Sequence, residues 1–71
     1  MEVELVEFIF TYHPPSPEQR ATYDGLTAEF LRLALHVNAA LPEGPGKTVA
    51  IRKLAEARMA ANAAVALAGR F

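Results

Sequence analysis

Residues 16–41 read SPEQRATYDGLTAEFLRLALHVNAAL, and this run decides the fold. Ser16 stands where a helix N-cap belongs, with Pro17 at the first helical position. Glu18 adds a negative charge near the positive end of the helix dipole, and Gln19 closes an S-x-x-Q capping box. From there Tyr23, Leu26, Phe30, Leu33, Val37 and Leu41 recur at steps of three and four. That spacing predicts an apolar stripe along one helix face. A second apolar line, Ala28, Leu31 and Leu35, lies off the stripe, so the helix has two partners to satisfy. Gly25 sits inside the pattern at a cost of about 1 kcal/mol against alanine, and marks either a close helix approach or a local bend.

Downstream, Pro42-Glu43-Gly44-Pro45-Gly46 is turn chemistry throughout. A second helix is expected from near Lys47 to about Ala68. Its small residues Ala50, Ala57, Ala61, Ala64 and Ala68 are expected on one side with Leu54 and Val65, with Ile51, Ala55 and Met59 as further cover. Gly69 is a natural stop, leaving Arg70 and Phe71 as a short tail. Two long helices joined by a short loop predict an antiparallel αα-hairpin. Upstream, Val3 and Leu5 alternate on one phase and Phe8, Phe10 and Tyr12 on the next. This predicts an extended arm or short strand, which must lie on a helix face or pair with the same arm of another copy. His13-Pro14-Pro15-Ser16-Pro17 then forms a rigid corner, because proline fixes its own φ and restricts the residue before it. The expected architecture is all-α and a single domain, with an arm and proline corner over 1–15 and a helical hairpin over 16–71.

A chain of 71 residues hides only roughly 60% of the surface its unfolded form exposes. Apolar residues make up 52% of it, more than one thin core needs. Without cysteine, the disulfide and thiolate-metal routes to extra stability are closed, which leaves association with copies of itself. The N-terminus is acidic where a signal peptide is basic, and no apolar run approaches the ~20 residues of a membrane span, so a soluble, internal protein is expected. A formal net charge of −1 argues against a duplex-binding protein. A small phosphorylated ligand held by a few local cations is compatible with it.

Gly44-Pro45-Gly46-Lys47-Thr48 ends like a nucleotide-triphosphate loop, but Leu41 stands where that pattern needs glycine and a helix stands where it needs a strand. An NTPase is excluded. What survives is either a plain turn and helix start or an anion cradle made by the helix N-terminus with Lys47 and Thr48. Arg52 and Lys53 follow within two helical turns, giving either a solvated face or a basic end. His13 and His36 are the only histidines, so neither a metal site nor a cofactor is expected. Ser16 is the single serine and already serves as a cap, so no catalytic constellation is available and no enzymatic activity is expected. Among Phe8, Phe10, Tyr12 and Tyr23, packing competes with a role as a stacking platform for bases. Tyr12, between arm and corner, is the better candidate for stacking.

The Phe10-Thr11-Tyr12-His13-Pro14-Pro15 corner, with Glu18-Gln19 and Tyr23, resembles a known family, as do Lys47 to Glu56 and the run Met59-Ala60-Ala61-Asn62-Ala63-Ala64-Val65-Ala66. It is similar to the phage helical-hairpin family of immune-signal sponges, which includes anti-CBASS cyclic-oligonucleotide sponges and the hairpin part of anti-Thoeris sponges. The similarity spans about residues 8 to 68. It implies a homo-oligomer, a hexamer in the best-known relatives, with ligand pockets between protomers and no catalysis. It also implies cyclic di- and trinucleotides, or cyclised ADP-ribose signals, as ligands, captured in the cytoplasm of an infected bacterial host. By matching position, Tyr12 resembles a stacking residue, and Lys47 with Arg52 or Lys53 resemble phosphate partners. His13 and Thr48 beside them complete the expected ligand-binding set. The chain departs from the family pattern at Ala60, where an aromatic is common, at Thr27, where a basic residue is common, and in the loop Glu43-Gly44-Pro45-Gly46. The competing reading is a protein interaction module that docks a partner through Leu31 and Leu35.

Overall fold

The computed structural model describes residues 1–70. Three helices follow in order, α1 (Val3–Ile9), α2 (Pro17–Ala40) and α3 (Pro45–Ala66). No strand forms among the described residues. α2 and α3 pack against each other as the hairpin, within overall dimensions of 46 × 29 × 15 Å.

α2 starts as its sequence dictates. The Ser16 hydroxyl accepts from the Gln19 N–H at 3.1 Å, and the Ser16 N–H donates to Gln19 Oε1 at 3.0 Å, so both halves of the capping box are made. Tyr23, Leu26, Phe30 and Val37 are half-buried along the expected stripe, joined by Ala34. Leu33 and Leu41, at the stripe's margin, remain exposed. The second line stays outside, with Leu31 57% and Leu35 60% exposed.

α3 begins two residues earlier than expected, because Pro45 fits the first helical position and Gly44 precedes it at φ 150°, a conformation that favours glycine. Its covered side carries Lys47, Ala50, Ile51, Leu54, Ala61, Asn62, Val65 and Ala66. Ala57, Ala64 and Ala68, expected on that side, are exposed; the helical phase turns Ile51 and Asn62 inward instead. The helix ends in a Schellman motif, in which Gly69 N–H donates to the Ala64 carbonyl and Ala68 N–H to the Val65 carbonyl. The left-handed position falls on Ala68, φ 51°, one residue before the expected Gly69 stop, with Gly69 itself at φ 75°. Phe71 of the expected tail lies outside the described residues.

The expected extended arm is a correction: residues 3–9 are helical. Leu5, Phe8 and Ile9 share the i, i+3, i+4 spacing of a helix face and are half-covered, whereas a lone strand has no ladder to join. Glu4 lies in the first turn, where a negative charge is favourable. At the other end the Thr11 hydroxyl donates to the Glu7 carbonyl at 2.6 Å, and His13 Nε2 lies 2.6 Å from the Phe8 carbonyl oxygen. The Glu7 carbonyl at the helix end thereby gains a partner, and the Phe8 carbonyl, which also accepts from the Thr11 N–H at 3.3 Å, gains a second.

Leu67 is the only buried apolar residue among those described, at 7% exposure. A hairpin two helices thick has almost no interior; every other described apolar side chain keeps one side on water. A Cβ added at Gly25 would meet nothing within 4 Å, so within the chain this glycine marks no close helix approach.

Candidate functional site

Tyr12 is 80% exposed, and the local fold explains why. Its two neighbours both turn back onto the end of α1, Thr11 to the Glu7 carbonyl and His13 to the Phe8 carbonyl. The phenol between them points to neither. His13 is spoken for: its ring centroid lies 4.5 Å from that of Phe8 at a tilt of 58°, and Nε2 is on the Phe8 carbonyl. On the same phenyl ring the Arg70 guanidinium sits 4.2 Å from the centroid, a cation–π contact. Tyr23 is half-buried and its hydroxyl donates to the Asn62 carbonyl at 3.4 Å, so it belongs to the packing between the helices. The four aromatics do not form one cluster. Phe8 and Tyr23 are partly covered, and Phe10 and Tyr12 stand in solvent.

The basic candidates gather at the other end of the hairpin, in the first turns of α3. Lys47 is folded inward, its side chain 10% exposed, with Nζ 2.5 Å from Oε1 of the largely exposed Glu43. The Thr48 hydroxyl reaches back to the Gly44 carbonyl at 3.5 Å, the outer limit of a hydrogen bond. Lys53 pairs with Glu56 at 3.4 Å on an open surface, a pair of little energetic weight. Arg52 is exposed and has no ion-pair partner among the described residues. Thus Lys47, Thr48, Arg52 and Lys53 share one end, while Tyr12 and His13 lie at the opposite end. The 24 residues of α2 put Lys47 and Thr48 about 36 Å from that corner at ~1.5 Å per residue, and Arg52 and Lys53, two turns back along α3, about 25 Å from it.

Three features escaped the reading of the sequence. Arg70 lies on Phe8, a contact between the chain's two ends that no local pattern encodes. The Oδ1 atom of Asn62 is buried without a hydrogen-bond partner. An open groove of about 270 Å³ runs between α2 and α3, bordered by Thr27, Phe30 and Leu31 on one wall and Leu54, Ala55 and Arg58 on the other. Its signal was present as the paired stripes, but sequence spacing does not say which side chains face one another across helices. No group of three histidine, aspartate or glutamate side chains capable of holding a metal occurs among the described residues. No described helix is long and apolar enough to cross a membrane.

The family model Acb2/Tad1, hairpin domain, matches residues 1–66, which takes in all three helices and the proline corner. The chain belongs to this family. This is the anti-CBASS and anti-Thoeris sponge family that the Tyr12-His13-Pro14-Pro15 corner resembles. Comparisons with curated proteins and with solved structures gave no match. In this Acb2/Tad1 hairpin the aromatic and the basic candidates therefore occupy separate ends of one rod-like chain.

Proposed function

We propose that the chain is a phage anti-defence sponge, which binds cyclic di- or trinucleotide immune signals between copies of itself and releases them unaltered. Membership of the Acb2/Tad1 hairpin family supports the sponge reading. The observation that carries the site is the separation of Tyr12 from Arg52 and Lys53. A small cyclic nucleotide needs both a stacking surface and cations for its phosphates, and one chain offers them roughly 25 Å apart. A second copy laid alongside brings one chain's Tyr12 end to the other's basic end. The exposed Leu31 and Leu35 and the near absence of a buried core favour such assembly. Six copies is the number the resemblance implies.

In this arrangement Tyr12 supplies the stacking face, with its exposure set by the clasp of Thr11 and His13 on α1. Arg52 and Lys53 face phosphate. Lys47 and Thr48 border the same turn, with Lys47 available once it leaves Glu43. Captured ligand is withheld from its effector by occupancy, with no bond broken. A cyclised ADP-ribose ligand presents the same chemistry, a base to stack and a pyrophosphate to neutralise.

The test is native mass spectrometry of the purified chain with a panel of cyclic di- and trinucleotides and cyclic ADP-ribose, followed by heat release and chromatography of the ligand. An oligomer that takes up a panel member and returns it intact is expected. Conversion of the input nucleotide would mean an enzyme. Indifference to the whole panel would leave the exposed Leu31 and Leu35 line as the docking face of a protein interaction module.

A further inference from the structure

α1 has two apolar sides, and only one of them is used by its own chain. Leu5, Phe8 and Ile9 are half-covered, and Phe8 is fastened by His13 and Arg70. Val3, Val6 and Phe10, at steps of three and four, form a separate stripe that is exposed along its length. At about 100° per residue, Glu7 falls on the edge of that stripe beside Val3. Its carboxylate has no ion-pair partner among the described residues. Residues 1–19 carry Glu2, Glu4, Glu7 and Glu18 and neither lysine nor arginine.

The groove between α2 and α3 has the complementary character. Phe30, Leu31, Leu54 and Ala55 make its apolar lining, and Arg58 stands on its margin opposite Thr27. Arg58 likewise has no ion-pair partner among the described residues. At about 270 Å³ the groove is smaller than the ~300–1,000 Å³ typical of pockets for drug-sized ligands, and suits a few side chains from a docked helix. The chain's own α1 does not fill it. No Cα of α1 lies within 8 Å of one in α2 or α3, and Phe8 is held at the far end of the hairpin.

We propose that the outward stripe of α1 from one copy seats in the α2–α3 groove of a second copy, with Val6 and Phe10 on the apolar lining and Glu7 paired with Arg58. An acidic helix is a poor fit to anionic lipid surfaces and a good fit to a groove edged by an unpaired guanidinium. The contact rests on the assembly part of the proposed function and not on its ligand.

The cysteine-free sequence makes a direct test clean. Full-length Val6→Cys and Ala55→Cys chains are mixed in equal amounts, oxidised mildly and weighed intact. The mixed V6C–A55C disulfide is expected to exceed either same-site product several-fold, and it can arise only between copies. In parallel, Arg58→Glu is expected to lose the oligomer at concentrations where the parent holds it, with helicity by circular dichroism unchanged. Glu7→Arg combined with Arg58→Glu is expected to restore it. Same-site links alone, or an Arg58→Glu chain that keeps its full mass, would overturn the contact while leaving assembly intact. A parent chain that is monomeric throughout would overturn both.

Discussion

Tyr23 donates its phenolic hydrogen to the backbone carbonyl of Asn62 at 3.4 Å, tying the first half of α2 to the second half of α3. One turn away, Gln19 Nε2 donates to the Val65 carbonyl at 3.1 Å. Four residues back along α2 and three forward along α3 is the step of an antiparallel pair. These two bonds therefore fix register in a hairpin whose apolar stripes alone would tolerate sliding. They also place the proline corner beside the end of α3, which brings Arg70 within reach of Phe8.

Gln19 serves both ends of this arrangement, since its amide oxygen accepts from Ser16 N–H while its amide nitrogen donates across the hairpin. Gln19→Ala is expected to lower unfolding free energy by about 2 kcal/mol, and Ser16→Ala by about 1 kcal/mol. Gln19→Glu, which keeps the box acceptor and loses the cross-hairpin donor, should fall between. Thermal unfolding followed by circular dichroism orders the three; a Gln19→Glu chain as stable as the parent would show that the Val65 bond contributes nothing.

Ala68 occupies the left-handed position that closes α3, where a Cβ costs roughly 1–2 kcal/mol relative to glycine. Ala68→Gly relieves that cost and should raise stability by about 1 kcal/mol, offset slightly by the greater freedom glycine has when unfolded. A fall in the unfolding midpoint would mean that the helix ends elsewhere in solution.

How far these features could be foreseen depended on the range of the interaction that sets them. The α2 start was legible in Ser16-Pro17-Glu18-Gln19 because capping is local. The hairpin was legible because two long stripes flank Pro42 and Gly44. α1 was misread because alternation of Phe8, Phe10 and Tyr12 imitates a strand, while the Leu5, Phe8 and Ile9 spacing that makes it a helix spans little more than one turn. The site candidates were individually visible, but their division between opposite ends follows from hairpin geometry. The engagement of Lys47 by Glu43 and of His13 by Phe8 needs side-chain conformation, which composition and spacing do not specify.

Tyr12 and Leu31 separate ligand from assembly. Tyr12→Ala removes an exposed ring and should leave both the unfolding midpoint and the oligomer mass unchanged, while weakening nucleotide binding by about 1–3 kcal/mol for the stacked base. Leu31→Glu puts a charge on the groove wall and should reduce mass first, with ligand lost as a consequence. Native mass and titration calorimetry read the two; equal loss of mass in both variants would place Tyr12 in the interface.

Glu43 competes with any anion for Lys47. Glu43→Gln releases the ammonium and should tighten binding of a cyclic nucleotide by up to roughly fivefold, the range expected for a pair so open to water on its carboxylate side. Affinity falling on this substitution would show that Glu43 positions Lys47 for the ligand. No change would remove Lys47 from the ligand set.

Asn62 carries a buried Oδ1 with no partner, beside a backbone carbonyl that Tyr23 does satisfy. An orphaned acceptor costs about 1–3 kcal/mol, and asparagine is also a poorer helix former than alanine by roughly 0.5 kcal/mol. Both effects have the same sign in an isolated chain. Asn62→Ala is therefore expected to raise the stability of dilute, dissociated chain by about 1–2 kcal/mol, because the Tyr23 bond goes to the main chain and survives the substitution. The same change studied at assembling concentrations distinguishes two fates for the amide. If a second copy supplies the missing donor, Asn62→Ala lowers the oligomer fraction while raising the stability of the dissociated chain. If no copy reaches it, both rise together. A dissociated chain made less stable by the substitution would show that Oδ1 already has a partner within its own hairpin.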